Sequence, residues 1–228
     1  MRKVENIANS EAIKAISSER KRTNILRKVE QISIAFLVQR IPSWLTSNML
    51  TAIGLFGNSL VFLSFLLAAY IDKNYLLLST LGFVINWFGD SLDGRIAYYR
   101  NIPRKWYGFT LDLTIDWIGL VFIGLGFMLY VDQAWVLIGY AFVVLYGWSI
   151  IIAILRYNIT GKYSIDSGLF GPTEVRIAIA SILILEVIFN GSIVYFGLIA
   201  LLALLIVNVL DFIKLLNLSD QRDKRERN

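Results

Sequence analysis

From residue 47 onward the chain reads as a succession of apolar runs, each near the length that crosses a bilayer, separated by short polar breaks. The runs cover approximately 48–71, 74–98, 107–131, 134–156, 175–190 and 193–216. Between them lie Asp72-Lys73-Asn74, residues 99–106, Asp132 with Gln133, residues 157–174, and Asn190-Gly191-Ser192. This pattern predicts six transmembrane helices with both termini on one side. Residues 1–46 lack a long apolar run. Within them Ile25, Val29, Ile32 and Phe36 recur at three- and four-residue steps, with Arg27, Lys28, Glu30 and Gln31 between, which predicts an amphipathic helix. Its basic character suits an interfacial helix on an anionic membrane face; the alternative is a helix packed on its own protein. The expected organisation is a basic amphipathic segment, 1–46, a six-helix transmembrane domain, 47–217, and a charged tail, 218–228.

Composition agrees with the pattern. Of 228 residues 57% are hydrophobic and 17% charged, against about 45–50% and 25% in soluble domains. A soluble globule of this size could not hide that much apolar surface, so the fold class expected is an all-α integral membrane protein. The charges then orient it. With six spans, 21 of the 22 basic residues fall on the side of the termini and Lys73 stands alone opposite. The positive-inside rule puts that side in the cytoplasm. The net charge of +5 is therefore topological and implies no nucleic-acid partner. The absence of a leader pattern and the small size favour a prokaryotic cytoplasmic membrane. With no cysteine and no histidine, thiol nucleophiles, histidine bases, Cys/His zinc sites and disulfides are excluded.

Chemistry must come from carboxylates, cations, hydroxyls and bound metal. Four aspartates interrupt the second and third runs: Asp90, Asp93, Asp112 and Asp116. Carboxylates are expensive inside apolar helices and mark a functional site by default. Asp90, Asp93 and Ala97 share one helical face, as do Gly108, Asp112 and Asp116 on the next helix. The short connection with Pro103 makes the two helices antiparallel, so the acidic faces can meet near the cytoplasmic end. Gly94 and Gly108 leave room for a ligand or another backbone. Four facing carboxylates repel one another, and two divalent cations would balance them; an all-oxygen set suits Mg²⁺ or Mn²⁺. Such a site favours displacement at phosphorus. An ion or proton path, or a polar network joining two helices, uses the same residues.

These residues carry a resemblance. Asp90, Asp93, Gly94 and Ala97, then Gly108, Asp112 and Asp116, match seven positions of the CDP-alcohol phosphatidyltransferase signature, D-x-x-D-G-x-x-A-R followed by G-x-x-x-D-x-x-x-D. Tyr98 stands where that signature has arginine. Pro42 through Thr51 is similar to the stretch leading into the family's first transmembrane helix, with Ser47 where a proline is common. The resemblance implies an interfacial helix, six transmembrane helices and a homodimer. It implies a CDP-linked donor, most simply CDP-diacylglycerol, an alcohol acceptor and release of CMP. Asp90, Asp93, Asp112 and Asp116 would hold two metal ions, with Asp116 as the base. Asn48, Thr51, Asp90, Asp93, Gly94, Ala97 and Gly108 would bind the donor, and Arg95 or Arg100 could reach the phosphates in place of the missing arginine.

Arg156, Lys162, Glu174 and Arg176, around the fourth cytoplasmic connection, are candidates for the acceptor; contact with lipid head groups is the blander reading. Gly168, Gly171 and Pro172 suggest that this connection turns sharply. Glu186 is expected to contact a neighbouring helix, and Asp211 an arginine or the interface. The alternatives are transfer of a CDP-choline- or CDP-ethanolamine-type head group to a lipid alcohol, a cation- or proton-coupled transporter, and a family member that binds without turnover.

Overall fold

The computed structural model describes residues 26–161 and 171–227, and every regular element among them is helical. A short helix, α1 (Arg27–Val38), precedes six long ones: α2 (Ser47–Tyr70), α3 (Leu78–Tyr99), α4 (Lys105–Tyr130), α5 (Val136–Thr160), α6 (Pro172–Ile188) and α7 (Ser192–Arg227). Single 3₁₀ turns, Lys73–Leu77 and Gln133–Trp135, lead into α3 and α5. The basic residues before Leu26, Ile25 of the apolar stripe, and Lys162 and Gly168 of the fourth connection lie outside the described residues. The charged tail does not separate from the bundle. α7 runs on without a break to Arg227, and Arg222 donates to the Asn158 carbonyl at the end of α5 (2.8 Å).

Four helices, α2, α4, α5 and α7, are long and apolar enough to cross a membrane. The other two differ for identifiable reasons. α6 has only 17 residues, and α3 carries Asp90, Asp93 and Arg95 in its second half. α7 leaves Ile199, Leu202, Ile206, Leu210 and Ile213 exposed.

The tightest crossing is that of α2 with α3. Without side chains, Gly54 and Gly57 of α2 meet Gly82 and Gly89 of α3 backbone to backbone, the small-residue packing that substitutes for a hydrophobic drive between helices in lipid. A Cβ on Gly57 would lie 2.6 Å from the Gly82 carbonyl oxygen, and one on Gly89 2.7 Å from the Gly54 Cα. Asn86 reinforces the crossing by donating to the Gly54 carbonyl (3.0 Å). Because backbone cannot yield as a side chain can, Gly57→Ala is expected to cost about 1–3 kcal/mol. Thermal unfolding in detergent checks this; an unchanged midpoint would contradict the close crossing.

α1 has two apolar faces. Ile34 and Val38 are buried in a cluster with Leu45, Leu50, Leu92 and Ile96, which docks the helix on α2 and α3. The stripe read from the sequence, Val29, Ile32 and Phe36, is the other face and lies exposed. Glu30, expected among the solvated residues, is instead buried and lies 3.8 Å from Arg95 of α3. A second cluster, including Val61, Phe65, Phe83, Phe127, Leu183 and Ile193, fills the opposite end of the bundle. There the buried Glu186 accepts from Tyr130 (3.0 Å), from the Gly191 and Ile193 backbone amides (2.9 and 2.8 Å), and from the Ser192 hydroxyl (3.3 Å). It thus joins α6 to α4 and satisfies amides that begin α7, a helix contact with a capping function.

Candidate active site

α3 ends in a Schellman turn. The Ile102 amide bonds the Ala97 carbonyl (3.0 Å), the Asn101 amide bonds that of Tyr98 (3.1 Å), and Asn101 takes the left-handed conformation at φ 57°. Asparagine tolerates that conformation better than most residues. Pro103 follows, and the chain reverses into α4. The two helices are held by their common neighbour α2 rather than by close packing on each other. A cavity of about 750 Å³ opens between them.

The residues singled out for the donor converge on this cavity. Asn48, Thr51, Asp90, Asp93, Gly94, Arg95, Ala97, Arg100 and Gly108 all line it, together with Tyr98 and the metal-ligand candidate Asp112. A Cβ built on Gly94 or Gly108 meets nothing within 4 Å. No neighbouring backbone accounts for these two glycines, unlike those of α2 and α3; they widen the cavity instead.

Asp90 and Asp112 of this cavity meet Asp116, which is not part of its lining: one carboxylate oxygen from each of the three lies within 4.8 Å of the others. Opposite ligands of an octahedral Mg²⁺ are about 4.2 Å apart, so small side-chain movements would bring the three to one cation. The donor set is all oxygen and the charge is right: the residues fit a hard divalent ion. Asp93 is held slightly apart. Its carboxylate accepts from the Thr51 hydroxyl (2.7 Å) and from the Gly94 backbone amide. These bonds orient it and leave room for further ligation, since a carboxylate offers about four acceptor sites.

Arg176 enters the cluster from α6, donating to Asp90 across 2.5 Å. It also lines a second cavity of about 60 Å³ with Asp116, Tyr146, Asn58 and Asn86. Of the four residues expected around the acceptor, Arg176 is the one that the structure brings to the aspartates. None of Arg156, Glu174 and Arg176 lines the main cavity. Arg156 pairs with Asp211 (3.1 Å), tying α5 to α7. Glu174 accepts from the Gly171 amide (3.0 Å) and the Leu26 amide (2.9 Å), so its carboxylate caps α6 and fastens the start of α1. Lys162 lies outside the described residues.

The cations near the cavity mouth divide sharply. Arg100, expected to reach toward phosphate, donates to the carbonyls of Leu45 (2.7 Å) and Pro42 (2.8 Å) and, more distantly, to those of Ser43 and Ile41. It clamps the α1–α2 connection. Arg95 donates to the Ser91 carbonyl and faces Glu30. Arg104, which the sequence reading passed over, donates to the Asn48 side-chain oxygen (2.5 Å) and stacks on the Tyr107 ring with its guanidinium carbon 4.1 Å from the centroid. Its place in a turn with Pro103, beside a cluster of aromatic residues, was the available signal.

The sequence model of the CDP-alcohol phosphatidyltransferases matches residues 44–211, which covers Asp90, Asp93, Asp112 and Asp116. No curated protein matches the chain.

Proposed function

The chain belongs to the CDP-alcohol phosphatidyltransferase family, a family of transferases, and from that premise we propose that it moves a phosphatidyl group from CDP-diacylglycerol to the hydroxyl of a soluble alcohol, releasing CMP. The observation that carries this reading is the meeting of Asp90 and Asp112, which line a cavity widened by Gly94 and Gly108, with Asp116.

Asp90, Asp93, Asp112 and Asp116 would hold the divalent ions, Mg²⁺ or Mn²⁺, that the family uses. When bound, these ions neutralise charge on the oxygen that leaves with CMP. The rest belongs to the chain. Gly94, Ala97 and Gly108 give the cytidine a flat, close approach, and Asn48 and Thr51 form the wall beside it. Asp116 accepts the proton of the acceptor hydroxyl. The freed oxygen attacks the phosphorus distal to cytidine, and the bond from that phosphorus to CMP breaks, its electron pair leaving on CMP. With histidine absent, a carboxylate is the base that this sequence can offer. Arg176 keeps a cation beside Asp90, where an anionic acceptor would present its phosphate. All six long helices cross the membrane in this reading, with the polar half of α3 shielded by α2, α4 and α6. The basic side faces the cytoplasm, α1 lies with Val29, Ile32 and Phe36 against lipid, and two copies form a dimer.

The test is CMP release by purified protein in detergent with Mg²⁺. CDP-diacylglycerol, CDP-choline and CDP-ethanolamine are crossed with soluble alcohols, polyol phosphates and diacylglycerol. Release from CDP-diacylglycerol with a soluble alcohol is expected; release confined to a CDP-head group with diacylglycerol would reverse donor and acceptor. Gly108→Leu narrows the cavity at a position where a Cβ meets nothing within 4 Å. It should lower kcat/KM for the donor by about 10²-fold while leaving the unfolding midpoint unchanged or raised, because leucine is the better helix former. Undiminished kcat/KM would show that nothing needs to approach Gly108 closely.

A further inference from the structure

We infer that Arg104 is the principal phosphate-holding side chain at the mouth of the main cavity, a specificity-determining residue for the diphosphate of a CDP-linked substrate. The inference rests on reading that cavity as the donor site. It follows from how the cavity's cations are already committed. An anionic diphosphate in a cavity that already holds carboxylates needs positive charge on the cavity wall. Four cationic side chains line the mouth: Arg95, Arg100, Arg104 and Lys105.

Arg100 spends its guanidinium on the carbonyls of the 41–45 connection. Its release would cost those bonds. Arg95 faces the buried carboxylate of Glu30, with side-chain exposures of 15% and 3%, so its charge is largely balanced from behind. Lys105 is a point charge on a flexible stem with no planar fork to offer.

Arg104 differs from all three. Its hydrogen-bond partner is the neutral Asn48 amide, which takes one of five N–H donors and none of the charge. Among the described residues no carboxylate forms an ion pair with it. It is nonetheless held in place: Asn48 Nδ2 donates in turn to the Tyr107 hydroxyl (3.3 Å), and the Tyr107 ring lies under the guanidinium. The arrangement fixes an uncompensated planar cation at the cavity wall with a fork still available. That is the geometry suited to bidentate recognition of phosphate. Position 98, where the signature has arginine, is Tyr98 here and lines the same cavity. A phenol supplies no fixed charge there, and Arg104 supplies it from the turn that follows α3.

The experiment titrates CDP, which carries both phosphates and no group to transfer, onto the purified full chain in detergent with Mg²⁺, following calorimetric heat and the thermal midpoint. R104A should weaken CDP binding about 10- to 100-fold, the range of a charge-assisted hydrogen bond. Its ligand-free midpoint should stay at the wild-type value. R104K should fall between the two, because it keeps the charge and loses the fork. In the R104A background, Tyr98→Arg should recover most of the lost affinity, which no purely structural role for Arg104 would allow. CDP binding by R104A within about twofold of wild type, or a loss that Tyr98→Arg leaves untouched, overturns the inference. Failure of the wild-type protein to bind CDP would instead overturn the donor reading itself, and the inference with it.

Discussion

Asp116→Asn lowers CMP release by about 10²–10⁴-fold, the usual worth of a general base, with the loss in kcat and little change in KM for the donor. Asparagine keeps an oxygen of nearly the same shape and so preserves most of the ligation that Asp116 offers. It cannot accept the hydroxyl proton. The split between kcat and KM separates this from simple loss of the site, since a collapsed cavity would weaken donor binding too. A variant that turns over at the wild-type rate would remove Asp116 from proton transfer and leave it as a ligand alone.

Asp112→Asn produces the second large effect, and it has opposite signs in activity and stability. Transfer should fall by at least about 10³-fold, because metal-centred charge stabilisation supplies several kcal/mol. The metal-free protein should become more stable. Asp112 lies within 4.8 Å of both Asp90 and Asp116, and each such pair, when both are ionised, repels by about 3–4 kcal/mol at an effective dielectric of 20. Arg176 offsets part of this through Asp90, so the expected gain is a rise of a few degrees in the midpoint under chelation. Mg²⁺ should stabilise the wild-type protein and have little effect on the variant. A midpoint that falls without metal would mean that Asp112 is held by favourable contacts and is not part of a repelling cluster.

Much of this molecule was legible because its signals are local. Six apolar runs place six helices, with differences of a few residues at their ends except in α7, which continues eleven residues past the apolar run to Arg227. The faces containing Asp90, Asp93 and Ala97, and Gly108, Asp112 and Asp116, follow from helical periodicity. What periodicity gives is a face, and it is silent on what lies opposite. Arg176 reaches Asp90 across 86 positions of sequence. Nothing in the local pattern distinguishes it from Arg156 or Glu174, whose charges are consumed by Asp211 and by the start of α6. Arg100 was read for its charge. The structure uses it for its five donors, which satisfy carbonyls in a connection that forms no helix of its own. Glu30 looked solvated because its neighbours are basic and polar, yet α1 presents that edge to α3. The glycines at 54, 57, 82 and 89 carried a usable signal, since small residues three and seven apart mark a close crossing of helices in lipid.

The account stands most directly on metal-dependent release of CMP from CDP-diacylglycerol by the purified protein, measured for wild type and Asp112→Asn in parallel. It predicts release that requires an alcohol acceptor, vanishes with chelator, returns with Mg²⁺ or Mn²⁺, and is lost in the variant at every metal concentration. Release that persists under chelation, or that Asp112→Asn sustains at the wild-type rate, would contradict it.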